Sequence, residues 1–305
     1  MPEAAVPPNE RTMSLPDGVA EGGRTQTAPV AATNGGALSR ALRILETLIQ
    51  PVAPMSTAAI ARACGFDTST THRLLRTLVK DGYVLKFEDT KRYLASPKGL
   101  LPLSLYHPLN IVRRDVASTL MSLRNELGKT VGIVLFCDGE RLVLDLAPGS
   151  DSLSPYYETW LKGHLHCSAS GKVLLMSLSA EERRHLLGPE PYASPTPQTI
   201  TDRETLEADL EASRPRGYVI ARDDAFVGMT VLGAPVVATG NVIMGCLFLA
   251  CRSSSLDDDN TERAGLALKQ AADLISHGTP SLNAVSNMFP NYPNNARSSL
   301  IDMED

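Results

Sequence analysis

The stretch STAAIARACGFDTSTTHRLLRTLVKDGYV, residues 56–84, decides the fold. Ser56 can cap a short helix that carries Ile60, Ala61 and Cys64, because its hydroxyl can accept from a free first-turn amide. Gly65 closes that helix, since glycine adopts the left-handed conformation that helix ends favour. A second helix is predicted from about Thr68 to Lys80, burying Leu74, Leu75, Leu78 and Val79 and stopping at Gly82. Upstream, Leu38, Ala41, Leu42, Leu45, Leu48 and Ile49 recur at helical spacing and predict a preceding helix, ended by Pro51 and Pro54. Downstream, Tyr83–Lys86 and Lys91–Leu94 read as two short strands around the polar turn Glu88-Asp89-Thr90. Three helices followed by a hairpin, with a short turn between the second and third, is the pattern of a winged helix-turn-helix.

Charge supports that pattern. The chain has 305 residues and a net charge of −5, but the charge is uneven. Residues 36–98 hold ten Lys/Arg against five Asp/Glu, so a basic module is joined to an acidic body. Such asymmetry points to a polyanion partner for the basic part. In a helix-turn-helix the N-terminal residues of the last helix face base edges; here these are Thr68, Ser69, Thr70, Thr71, His72 and Arg73. Hydroxyls can bond bases or phosphates, and a guanidinium can fork onto guanine. Arg40, Lys86, Lys91 and Arg92 would meet phosphates, adding affinity but little sequence information. The bland alternative is a three-helix dimerisation module with a solvated basic face.

Residues 1–35 and 279–305 lack periodicity and are rich in Pro, Gly, Asn or Ser, so both ends are expected to be disordered. The remainder predicts an α+β fold. Residues 36–98 are expected to form the helix-turn-helix module, residues 99–127 linker helices (about Leu100–Tyr106 and Ile111–Leu127), and residues 128–278 a second domain. Strands are expected at Thr130–Phe136, Arg141–Leu146, Met229–Val237 and Val242–Ala250, the first pair joined by Asp138-Gly139. Helices are expected at Ser168–Leu178, Ala180–Leu187, from the capping box at Thr201 to about Ser213, and from Asp258 to His277. Five cysteines without paired spacing and the lack of a leader-like start indicate reduced thiols and a cytoplasmic protein. No run approaches the roughly 18 apolar residues of a membrane span.

Four segments in series carry a resemblance to the IclR (isocitrate lyase regulator) family of bacterial regulators. The first is ALSRALRILETLIQ with the 56–84 stretch and the KRYLASPKG that leaves the wing. The others are HLHCSASGKVLL at 164–175, ITDRETLEADLEASRPRGY at 200–218 and VLGAPVVATGNVIMGCLFLAC at 231–251. In series they carry the resemblance over roughly residues 37–278. The resemblance implies a repressor or activator of a catabolic operon that binds palindromic promoter DNA as a dimer or dimer of dimers. It implies a GAF-like effector domain that takes a small organic or aromatic acid. It puts base contacts on Ser69, Thr70, His72 and Arg73. Thr71 stands where the family usually has an apolar residue, either as a third polar contact or as a tolerated change at the core edge.

The resemblance also implies an effector pocket of Cys167, Ser168, Ala169, Ser170 and Gly171 with Asp223, Met229, Val231, Phe248 and Ala250. The chemistry agrees, because the start of a helix favours a carboxylate and Met229, Val231 and Phe248 suit an apolar or aromatic body. Lys172 adds positive charge, in a position from which it can also reach solvent. Phe248-Leu249-Ala250 replaces a polar residue usual in the family's last strand, which favours a more apolar ligand. Ser168 could equally be only a helix cap. Three other functions have weaker support in the residues. A hydrolase using Cys167 lacks a base, because adjacent His166 points to the opposite side of an extended segment. His164, His166 and Cys167 alternate in the same way and make a poor metal site. A thiol redox sensor has only the presence of thiols behind it. No cofactor or metal is expected, and no membrane partner.

Overall fold

The computed structural model describes residues 36–49, 53–100, 106–137, 140–150 and 160–288. Both outer tails, the Asp138-Gly139 turn and most of the first expected linker helix lie outside these residues. Two compact units emerge, the first ending at Leu94 and the second beginning at Ala95.

The first unit contains α1 (Ala37–Ile49), β1 (Met55–Ser56), α2 (Thr57–Cys64), α3 (Thr68–Lys80), β2 (Val84–Phe87) and β3 (Arg92–Ala95). Ser56 caps α2 by accepting the Ala59 amide at 3.3 Å, and Gly65 ends it at φ +70°. The hairpin gains a strand that the sequence pattern did not signal: β1 pairs with β3, Met55 opposite Tyr93, giving the order β1-β3-β2. On α1 the buried residues are Ile44 and Leu48, while Leu38 and Leu42 are 74% and 52% exposed. The apolar residues of α1 cover more of its circumference than one packing face can bury, so the stripe read from the sequence was too wide. On α3 the fully buried positions are Thr71, Leu74 and Leu75; Leu78 and Val79 are half-buried.

The second unit contains α4 (Pro97–Leu100), α5 (Pro108–Leu127), β4 (Thr130–Cys137), β5 (Glu140–Ala147), β6 (Trp160–Leu161), α6 (Ala169–Met176), α7 (Ala180–Leu187), α8 (Arg203–Arg216), β7 (Val219–Arg222), β8 (Met229–Ala238), β9 (Val242–Arg252), α9 (Asp258–Gly278) and α10 (Ser281–Met288). The strands form one antiparallel sheet in the order β6-β5-β4-β9-β8-β7. Both faces are covered, which is why β4, β8 and β9 read as nearly continuous apolar runs. Val131, Ile133, Leu135, Leu247 and Leu249 join one core with α5, α9 and α10. Val134, Phe136, Cys246, Phe248 and Ala250 join the other with α6 and α8.

Two boundary readings change. Residues 108–127 are not a bare linker: Leu109, Val112, Val116, Leu120 and Leu123 of α5 are buried in the core of this unit. Residues 279–305 are not irregular throughout. Ser281–Met288 form α10, which buries Leu282 and Val285 and is tied down by Ser281 donating to Asp115 at 2.6 Å. Its Ser- and Asn-rich sequence has weak helix propensity, and packing supplies what propensity does not.

Candidate functional site

The first unit presents a candidate nucleic-acid interface on α3. Asp67 caps the helix, accepting the Thr70 amide at 2.7 Å and the Ser69 hydroxyl at 2.6 Å. These donors, Ser69 first, hold the Asp67 carboxyl well below its usual range. Thr68, Ser69, His72 and Arg73 are exposed and Thr70 half-buried. Ser69, His72, Arg73 and Arg76 follow helical spacing and share one exposed face. Arg76 was missed in the sequence, although its place seven residues after Ser69 was the available signal. Thr71 is a correction: it is fully buried and its hydroxyl donates to the Asp67 carbonyl at 2.9 Å. It lies three and four residues before Leu74 and Leu75, so the stripe that seats the helix includes it.

The wing cations are engaged. Glu88 accepts from Lys86 at 2.8 Å and from Lys91 at 2.9 Å, and the two ammonium groups hold its carboxyl down at about 2. Arg92 donates to the Pro54 carbonyl at 3.1 Å. Arg40 is half-buried on α1.

The second unit has a small cavity of about 30 Å³, lined by Cys167, Ser168, Ala169, Ala221, Ala225, Phe226, Met229 and Val231. Five of these were expected; Ala221, Ala225 and Phe226 were not, because β7 and the turn after it gave only a weak pattern. The other five expected residues do not line it. Ser170 is fully buried and accepts from Arg141 at 3.3 Å. Gly171 allows α6 to pack on the preceding turn, since a Cβ there would lie 2.2 Å from the Leu165 carbonyl oxygen. Asp223, at φ +58°, builds the turn, accepting from the Gly228 amide at 2.6 Å and the Ser253 hydroxyl at 3.0 Å. Phe248 and Ala250 are fully buried on β9, a central strand covered by α6, whereas β8 adjoins the edge strand β7.

Ser168 has two roles. It lines the cavity and caps α6, accepting the Gly171 amide at 3.3 Å. Behind it lies Arg141, a buried guanidinium that donates to Ser168 at 2.7 Å and to the Gly163 carbonyl. The available signal for it was an arginine preceding the apolar run Leu142-Val143-Leu144. Lys172 does not reach solvent. It is 1% exposed, with Nζ 2.6 Å from Asp224 and 2.8 Å from Asp209. Burial pushes Asp224 up, and Lys172 opposes that shift.

Burial pushes the Cys167 thiol up to about 11, which leaves little nucleophilic thiolate. A nitrogen of the His166 ring instead meets the Ala193 carbonyl at 2.8 Å. All five cysteines are buried and remain thiols. Among the described residues no cluster of three or more His, Cys, Asp or Glu could hold a metal ion. Nor is any described helix long and apolar enough to cross a membrane.

A helix-turn-helix unit with an exposed recognition face, followed by a separate α+β unit that frames a small cavity, defines a DNA-binding transcriptional regulator. Comparison with known families is specific. The C-terminal domain of bacterial transcriptional regulator IclR matches residues 106–277, and the IclR helix-turn-helix domain matches residues 37–86. The chain belongs to the IclR family, whose members are regulators and not enzymes. It is similar to the HTH-type transcriptional regulator XynR of Escherichia coli K12, 26% identical over 242 residues, 77% of this chain and 96% of that protein. The transcriptional repressor IclR of the same organism is 24% identical over 260 residues, 84% of this chain and 95% of that one. Among solved structures, the Thermotoga maritima IclR superposes with a TM-score of 0.63 at 25% identity, covering 79% of this chain and 97% of its own. An IclR homolog from Microbacterium hydrocarbonoxydans, complexed with 4-hydroxybenzoate, has the same fold, with a TM-score of 0.68 at 23% identity over 82% of this chain and all of its own.

Proposed function

We propose that this regulator reads promoter DNA through Ser69, His72 and Arg73, and that a small organic acid, aromatic by preference, occupies the cavity at the start of α6 and alters DNA affinity. The observation that carries the DNA reading is the exposed face of α3 bearing those three side chains, with Thr71, Leu74 and Leu75 rooting the opposite face. Thr68 and Thr70 flank it as hydroxyl donors to phosphate, and Lys86, Lys91 and Arg92 add backbone contacts from the wing. Palindromic operators would be met by a dimer or dimer of dimers, matching protein symmetry to DNA symmetry.

For the effector, the cavity as it stands, about 30 Å³, is far below the roughly 300–1,000 Å³ of ligand clefts, so an acid enters only as the walls move apart. Its walls are mostly apolar, and the α6 N-terminus beside Arg141 offers partial and full positive charge to a carboxylate. The structural neighbour that holds 4-hydroxybenzoate makes that acid and benzoate the first probes. The ligand shifts regulation only by its difference in affinity between the DNA-competent and DNA-released poses.

The test is Arg73→Ala, with binding to a protected genomic duplex and to a scrambled duplex measured side by side. The variant should lose about 1–3 kcal/mol of discrimination between the two. Equal discrimination in variant and wild type would remove Arg73 from base reading. For the effector, benzoate and 4-hydroxybenzoate should raise the melting temperature of the second unit and shift the DNA titration. If neither acid, nor an aliphatic acid such as propionate, moves either quantity, the cavity is not an acid site.

A further inference from the structure

Lys172 is an ammonium with 1% of its surface exposed, and the reading of the cavity as a ligand site does not use it. A buried charge is tolerated only when paired, and a buried ion set is a weak source of net stability. Its clearer consequence is geometric, and the partners show what that is. Lys172 belongs to α6, whose start supplies Ser168 and Ala169 to the near wall of the cavity. Its Nζ lies 3.4 Å from the carbonyl of Ile220, the residue before Ala221 of the far wall. It lies 2.6 Å from the carboxylate of Asp224, which immediately precedes the lining residues Ala225 and Phe226. Asp209 of α8, at 2.8 Å, completes the set. One cation therefore joins the two walls.

The turn after β7 is anchored at its base and open at its tip. The Asp224 carbonyl accepts from Thr199 and the Asp223 carbonyl from Thr196, both at 2.6 Å. Asp223 closes the turn through the Gly228 amide. Between these anchors Phe226 and Val227 are 54% and 75% exposed, an apolar tip at the edge of an apolar cavity. We propose that Lys172 and Asp224 are positioning residues for this cavity. Their ion pair sets the separation of its walls and holds the base of the 223–228 turn, which carries Phe226 as a lid. The proposal rests on the cavity being the effector site.

The experiment uses the full chain without ligand and reads N-ethylmaleimide labelling by peptide-resolved mass spectrometry. Cys167 lines the cavity, while Cys246 and Cys251 are fully buried in the sheet. Asp224→Asn leaves Lys172 paired with Asp209, so the fold is retained. Because the Asp224 charge also raises the Cys167 thiol, the rate is read per thiolate from its pH profile; it should rise by about ten-fold at Cys167, the scale of one lost charge-assisted hydrogen bond, and stay unchanged at Cys246 and Cys251. Phe226→Ala changes a surface side chain and should also speed Cys167 labelling. An unchanged Cys167 rate in either variant, or a joint rise at all three cysteines, overturns the proposal, the latter because the pair would then hold the domain as a whole. Protection of wild-type Cys167 by 4-hydroxybenzoate reports on the effector reading separately. Without protection by any acid tested that reading falls, while the ligand-free labelling result stands.

Discussion

His166 serves packing. It is 3% exposed, rests against the Tyr192 ring at 5.2 Å and meets the Ala193 carbonyl, so the neutral ring carries its proton on Nε2. Burial holds its pKa below the usual 6.5. The unfolded chain therefore binds a proton at a pH where the folded chain resists it. The sign follows: this contribution to stability is full above about pH 6.5 and is lost as pH falls through and below that value. The denaturant midpoint of the second unit should drop between pH 7 and pH 5, and His166→Gln should flatten that part of the profile; an identical slope in the variant would assign the effect elsewhere. Gly171, in the first turn of α6, is packed just as closely. Gly171→Ala must push α6 off the Leu165 backbone and should cost about 1–3 kcal/mol in urea unfolding, with no loss indicating that the turn yields freely.

At the scale of elements, periodicity was a good guide where one face is buried and a poor one where length is short. The helices α5, α8 and α9 are long, capped and amphipathic, and their expected bounds needed only small shifts. The strand β7 is four residues long and β6 two, too short for alternation to stand out. The helix α10 is the clearest case of tertiary override. Leu282 and Val285 fit against α5 and the end of β8, and Asn283 accepts from the Thr239 amide at 3.1 Å. Leu282→Ala should therefore destabilise the second unit by about 2–5 kcal/mol, measured by urea unfolding. A change within about 0.5 kcal/mol would mean that α10 is only docked loosely and that the domain ends with α9.

At the scale of the whole molecule, the acidic total conceals a basic DNA-binding unit, and function divides along the same boundary. A chain beginning at residue 106 should lose salt-dependent attachment to duplex DNA and keep its thermal response to an acid ligand; retained duplex binding would relocate the interface. Much of this organisation was legible in the amino-acid sequence by itself. The order of helices and wing, the capped start of α3, the charge division and the apolar strands are local or additive properties, and each is written in consecutive residues. Three-dimensional packing alone decided which of those residues work together. It turned Thr71 into the core, buried Phe248 and Ala250 beneath α6, brought Ala221 and Phe226 to Cys167, and closed Lys172 between Asp209 and Asp224. The reason is that a cavity and a buried ion set are made by segments far apart in the chain. Their meeting depends on how sheet edge and helix fit in space, which no local spacing encodes.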